Sequence, residues 1–352
     1  MKSRSIEDLF EIELPIIQAP MGGVQGSALA IAVSNAGGLG SLPCALLSVD
    51  AIRAELAAIT HATTKPYNVN FFCHTPPEPD ASRDAAWRKR LEPYYAELGV
   101  DPATITHSGR TAFSPEAVDV LSEFKPPVVS FHFGLPARDL IDRVHGWGAK
   151  VLSSATTVDE ARWLEAHGVD AIIAQGLEAG GHRGHFLSSD LTAQLGTFAL
   201  VSQVVNGVRV PVIAAGGVAD AAGVSAMIAI GAAGVQVGTT YLLCPEATTT
   251  PVHRAALASV SARHTAITNV FTGRPARSIV NRMIREVGPM SDLAPQFPLA
   301  AGAVLPLRRA AEARDSDDFS SLWAGQNVTG CKAIPAADLT RALGQGVARG
   351  RA

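Results

Sequence analysis

"VPVIAAGGVADAAGVSAMIAIGAAGVQVGTTY", residues 210–241, is the stretch on which the fold turns. From Ala221 to Pro245 no residue is charged, a run long enough to cross a bilayer. Gly231, Gly234 and Gly238 break that run, and its character changes from helix-like "AGVSAMIAIG" to strand-like "GVQVGTTY". The stretch therefore reads as a buried strand, a buried helix and a second buried strand, not as a membrane span.

The same grammar extends through the chain. Short apolar runs recur at "PIIQAPM" (15–21), "GLGSLP" (38–43), "YNVNFF" (67–72), "VVSFHFG" (128–134), "KVLSSA" (150–155) and "AIIAQG" (171–176). With 210–217 and 234–241 they make eight. Most are apolar on both faces, the pattern of parallel strands covered on each side. Helix-like segments stand between them. In "SALAIAVSNAG", Ser27 is the expected N-cap and Gly37 the stop. In "TVDEARWLEAHG", Thr157 and Glu160 suggest a capping box and Gly168 the stop. Eight such units predict an α/β fold, a (β/α)8 TIM barrel, with an open doubly wound sheet as the alternative. Residues 1–244 would form the barrel, with an excursion at about 74–127. Residues 245–352 would form a smaller, mostly helical substrate-side lobe with closing helices.

Composition narrows the function. A formal net charge of -3 over 352 residues offers no basic surface for nucleic acid. The opening "MKSRSIEDLF" lacks an apolar signal core. Cys44, Cys73, Cys244 and Cys331 are scattered, with no CxxC or zinc spacing. A cytoplasmic, metal-free protein is expected. "AGGLG" (36–40) precedes a strand, so it is not a dinucleotide loop.

Barrel sites gather at the C-terminal ends of the strands. Met21-Gly22, Asn70, His132, Gln175, Gly216-Gly217 and Gly238-Thr239 fall there. So does "EAGGHRGH" (178–185), which follows the sixth run. Gly180-Gly181, Gly216-Gly217 and Gly238-Thr239 could aim backbone N–H groups at a phosphate, where a Cβ would obstruct. The competing reading is that glycine relieves crowding at strand ends. His182, directly after Gly181, would lie beside the bound cofactor, with an ordinary pKa near 6.5 suited to hydrogen bonding or proton transfer. His132 is either a core histidine bonded to a carbonyl or a second group at the barrel mouth. His185 would shape the loop, and Arg183 would pair with an acid, Glu178 being the candidate. His74, His107, His145, His167, His253 and His264 show no constellation and read as structural or solvent-facing.

"PIIQAPMGG", "NVNFF", "AQGLEAGGHRG", "VPVIAAGGV" and "GVQVGTTY" together resemble the bacterial class I nitronate monooxygenases, formerly 2-nitropropane dioxygenases. "TGRPAR" (272–277) and "WAGQ" (323–326) are similar to the family's C-terminal part. The resemblance implies an FMN-binding barrel. Asn70 and Gln175 would contact the flavin. Gly180, Gly181, Gly216, Gly217, Gln236, Gly238 and Thr239 would hold its phosphate and ribityl chain. Met21 and Gly22 would lie along the isoalloxazine, and His182 would be the active-site histidine. The implied substrates are an alkyl nitronate, with propionate 3-nitronate as the expected case, and O2. The implied route runs through a flavin semiquinone to a carbonyl compound and nitrite or nitrate. The expected assembly is a monomer or homodimer, without nucleic-acid or membrane partners. NADH-dependent reductases of the same superfamily, acting on enoyl-acyl carrier protein or quinones, share "EAGGH" and "AAGG". They stay as the alternative, although "SFHFG" and "NVNFF" favour the monooxygenases. A non-catalytic phosphate-binding barrel is the third possibility.

Overall fold

A computed structural model describes residues 5–105 and 110–351. Among these residues the strands are β1 (Ile16–Gln18), β2 (Gly40–Pro43), β3 (Tyr67–Phe72), β4 (Val128–His132), β5 (Lys150–Ala155), β6 (Ala171–Gln175), β7 (Gly181–His182), β8 (Val212–Ala215), β9 (Gly234–Val237), β10 (Thr265–Thr268) and β11 (Ala276–Ile279). Eight of them pair in parallel in the order β1-β9-β8-β6-β5-β4-β3-β2. The two ends of that order meet. Ile17 bridges Leu39 in parallel, with Leu39 N donating to Ile16 O at 2.9 Å and Gln18 N to Leu39 O at 3.0 Å. This seam turns the sheet into a (β/α)8 barrel and excludes the open doubly wound sheet.

The helices that cover the barrel are 27–35, 49–62, 115–124, 138–146, 158–166, 197–207, 221–229 and 336–351. The last packs on helices 221–229 and 27–35, and Thr340 Oγ1 lies 2.8 Å from the buried Tyr241 hydroxyl. Segment 245–352 therefore has two destinations: its final helix closes the barrel, and the rest builds the lobe. None of the helices is long and apolar enough to cross a membrane, among the described residues.

Helix boundaries follow the caps with two corrections. Thr157 Oγ1 accepts from Glu160 N at 3.2 Å, and Gly37 and Gly168 take φ of +91° and +88°. Ser27, however, is the first helical residue; Gly26 is the N-cap, and Ser27 N donates to Glu55 instead. Glu160 does not complete a capping box. Its carboxylate accepts from Thr156 N and Oγ1 on one oxygen and from Phe186 N on the other, tying this helix to the loop after β7. The run "GVQVGTTY" also splits: β9 stops at Val237, and Thr239–Leu243 winds into a 3₁₀ turn.

The barrel floor is apolar. The short helix Ile6–Phe10 plugs it, and Ile6 and Phe10 pack with Ile17, Leu39, Val128 and Ile213. Each such side chain contributes about 1.5–3 kcal/mol when removed from water. A second apolar cluster forms the lobe. Helix 81–98, from the 74–127 excursion, places Trp87, Leu91 and Tyr95 against Met283, Val304 and Leu307. Trp87 Nε1 and Tyr95 Oη donate to Ala300 O and Ala303 O of helix 300–312, which fixes the two helices together. The antiparallel sheet β10-β11-β7 joins the lobe to the barrel mouth.

Candidate active site

Climbing each barrel strand by two residues carries its inward side chain from floor to mouth. Val128 gives way to Ser130 and His132, Leu152 to Ser154, and Ile173 to Gln175. Below the mouth, Asn68 Nδ2 donates to Ser41 Oγ and Ser130 Oγ at 3.0 and 2.9 Å. Above it, Asn70 Nδ2 donates to Ser130 Oγ and O, which leaves its Oδ1 as the end available to a ligand.

One cavity opens at this mouth. Met21, Gly22, Asn70, His132, Gln175, Gly180, Gly181, His182, Gly216, Gly217, Gln236, Gly238 and Thr239 all line it. The structure thus brings every expected site residue to one cavity. The buried Gln236 Oε1 has no partner there.

"EAGGHRGH" is pinned from two sides. Gln175 Nε2 donates to His182 O at 2.9 Å, and Gly184 N donates to Gln175 Oε1 at 2.7 Å. His132 Nε2 lies 3.2 Å from the same His182 carbonyl, and its Nδ1 lies 3.0 Å from Ser154 Oγ. From the lobe, β11 pairs with β7, matching Ala276 to His182, and Arg183 N donates to Pro275 O at 2.8 Å. His132 therefore fits both readings of its sequence: it bonds a backbone carbonyl, and it lines the cavity.

Arg183 does not pair with Glu178. It is fully buried and donates to Gln194 Oε1, Gly176 O and Gln175 O at 2.7–2.8 Å, capping the end of β6. Glu178 instead accepts from Thr197 N and Oγ1, both at 2.7 Å, at the start of helix 197–207. A guanidinium suits three neutral acceptors in one plane.

The glycines divide by cause. A Cβ on Gly180 would stand 2.6 Å from Ala324 C and Gly325 N, and one on Gly216 would stand 2.6 Å from Thr197 Oγ1. Crowding accounts for Gly180, and at Gly216 it adds to a backbone φ of +124° that itself favours glycine. Gly181 and Gly217 both take φ +72°, and nothing lies within 4 Å of a Cβ on Gly181. There the backbone conformation itself requires glycine. "WAGQ" stitches these loops together: Gly325 N donates to Thr239 Oγ1, and Gln326 N to Glu178 O, both at 2.9 Å.

His182 Nε2 lies 2.9 Å from Thr272 Oγ1, and its ring borders Phe297 and Trp323 at centroid distances of 5.2 and 5.3 Å. Burial, then the Arg110 guanidinium, His132 and Arg274, hold its pKa well below the ordinary value. His182 is thus neutral at pH 7, and the expectation of a near-neutral titration is corrected. Burial drives His132 down to about 3, assisted by Arg274 and Arg183, against the opposing bond to His182 O. His185, also buried, falls to about 4.

Several residues at the site have no local motif. Arg110 and His253 line the cavity, and burial holds the His253 pKa down at about 4. His74 packs edge-on to Phe297 at 4.9 Å and to Phe133 at 6.4 Å. Arg274 stacks 4.0 Å over Phe133 and donates to His185 O. His74 and His253 are therefore part of the site surroundings, not bystanders. His145, beside Asp170 at 3.3 Å, and His167, stacked on Trp163, are structural as expected. His107 lies outside the described residues. The signal that could have found Arg274 and Thr272 was "TGRPAR".

Comparison with known proteins agrees with this geometry. The family description "Nitronate monooxygenase" matches residues 3–346. A nitronate monooxygenase of Pseudomonas aeruginosa is 43% identical over 95% of this chain and 96% of its own. The structure is similar to a nitroalkane oxidase from Streptomyces ansochromogenes, at TM-score 0.90 and 38% identity over 99% of both chains. It is also similar to FabK from Thermotoga maritima, at TM-score 0.74 and 30% identity over 99% of this chain and 97% of that one. With its motifs gathered at one barrel mouth and its whole length matched, the chain belongs to the nitronate monooxygenase family and is an oxidoreductase of that kind.

Proposed function

We propose that this protein oxidises alkyl nitronates with O2, using FMN held at the barrel mouth, and that propionate 3-nitronate is a substrate. The observation that carries the reading is the charge of the cavity wall. Histidines aside, Arg110 is its one cation and Glu178 its one acid among the described residues, and Glu178 is held by Thr197. A nitronate is already an anion, so its oxidation needs no base to remove a carbon proton, and a wall with one unpaired cation and no free acid suits a negatively charged substrate.

The residues fit the cofactor. The glycine turns at 180–181, 216–217 and 238 border a wall where the Gln236 Oε1 acceptor is buried without a partner, and Met21 supplies an apolar flank. When bound, FMN supplies the redox chemistry, taking electrons from the nitronate and passing them to O2 as the substrate becomes a carbonyl compound and nitrite or nitrate. The chain's own part is placement. The neutral His182 ring hydrogen-bonds a nitronate oxygen, and Thr272 fixes that ring. His132 and Gln175 hold the His182 backbone from below, so His132 acts as a positioning residue. The aromatic surround of Phe72, Phe133, Phe297 and Trp323 excludes water.

His182→Asn tests this role. Losing a hydrogen bond to an anion costs about 1.5–3 kcal/mol, or roughly 10- to 100-fold in turnover. The expected result is that loss with FMN absorbance and stoichiometry retained. Loss of FMN and folded structure together would make His182 a structural residue and contradict the proposal.

A further inference from the structure

Four guanidiniums surround this cavity without an ion pair to any acid among the described residues. Three are committed. Arg183 donates to carbonyls at the end of β6, Arg277 to Leu177 O at 2.8 Å and Thr265 Oγ1 at 3.1 Å, and Arg274 to His185 O while stacked on Phe133. None of these three lines the cavity. Arg110 does. Its Nη1 is buried with no hydrogen-bond partner among the described residues, and its guanidinium carbon stands 5.3 Å from the Phe297 ring centre. Phe297 also borders His182. Arg110 and His182 thus flank one aromatic ring, close enough for one small molecule with a short spacer to reach both.

A buried guanidinium with a free N–H edge calls for an anion, and its planar fork fits a two-oxygen group best. Glu178, the one acid on the wall, is bound to Thr197 and does not supply that anion. A simple alkyl nitronate carries one anionic group and satisfies only one of the two flanking residues. We propose that Arg110 is the specificity-determining residue of this site: it receives a carboxylate carried two or three bonds from the nitronate carbon, while His182 holds the nitronate end. This rests on the nitronate reading above. It assigns the preference for a carboxylated substrate to one side chain outside the glycine and histidine motifs.

The test uses the FMN-loaded protein. Oxygen uptake gives kcat/KM for propionate 3-nitronate and for propyl-1-nitronate in the wild type, Arg110→Met and Arg110→Lys. Arg110→Met should lower the ratio of the two kcat/KM values at least about tenfold, mainly through KM for the carboxylated substrate. Arg110→Lys should recover part of that ratio. An unchanged ratio would overturn the proposal while leaving nitronate oxidation intact. Calorimetry with succinate and butyrate separates the two claims, because neither ligand reacts. The wild type should bind succinate more tightly than butyrate, and Arg110→Met should abolish the difference. Equal binding of the two acids by the wild type would overturn the role of Arg110, even if the variant failed to fold. Failure to oxidise either nitronate, with succinate preferred, would instead overturn the nitronate reading.

Discussion

The two ends of this barrel are built on the same strands and have opposite chemistry. At the floor, Ile17, Leu39, Val128 and Ile213 meet Ile6 and Phe10 of the plugging helix, with no titratable group among them. At the mouth, two to four residues further along, stand Asn70, His132, Gln175 and Gln236, with three depressed histidines lining the cavity. The floor is held by apolar burial, which is indifferent to pH. The mouth is held by hydrogen bonds between neutral rings, amides and carbonyls, and its cations lack acid partners. One end gives stability without function. The other accepts polar and charged burial, which stability alone would not favour, and so offers a site.

Acid should separate the two ends most strongly. His132, His185 and His253 have folded pKa values of about 3, 4 and 4, below the ordinary 6.5 of the unfolded chain. The unfolded state therefore binds more protons between about pH 6.5 and 4. Stability is complete above pH 6.5 and falls as pH drops through that window, by up to about 1.4 kcal/mol per pH unit for each histidine. Thermal unfolding followed from pH 7.5 to 4.5 should show a steadily falling Tm. A flat profile would mean that these rings are not buried neutral.

The next effect belongs to the floor. Ile6→Ala empties part of a fully buried cluster and should cost about 2–5 kcal/mol of stability, read by denaturant titration. The KM for nitronate should stay at its wild-type value below the lowered Tm. A changed KM with unchanged stability would show that floor and mouth are coupled, against the division drawn here.

The sequence was legible where structure is local. The runs 67–72 and 150–155 are strands from end to end, because each is a short apolar segment bounded by turn residues. The Thr157 cap and the Gly37 and Gly168 stops are set by neighbours within four residues. What was illegible is held by distant partners. Ser27 yields the cap position to Gly26 because Glu55, across the next unit, takes its N–H. Arg183 ignores the acid five residues away for carbonyls that only the folded loop presents. The helix that closes the barrel, 336–351, is separated from β9 by the whole lobe, so no local pattern links them. The site shows the same split. The paired glycines and His182 of these motifs reached the cavity, whereas Arg183 and His185 turned away from its lining. Arg110, Phe297 and His253 arrive from the excursion and the lobe, where spacing along the chain carries no sign of the mouth they stand at, and only "TGRPAR" marks Thr272.

The central claim is that this mouth oxidises an anionic nitronate without help from a pyridine nucleotide. Oxygen consumption by the purified, FMN-loaded protein with propionate 3-nitronate, measured with and without NADH, tests it most directly. The account predicts rapid uptake that does not depend on NADH. No uptake with the nitronate, together with anaerobic bleaching of the flavin by NADH, would contradict it and assign the protein to the NADH-dependent reductases.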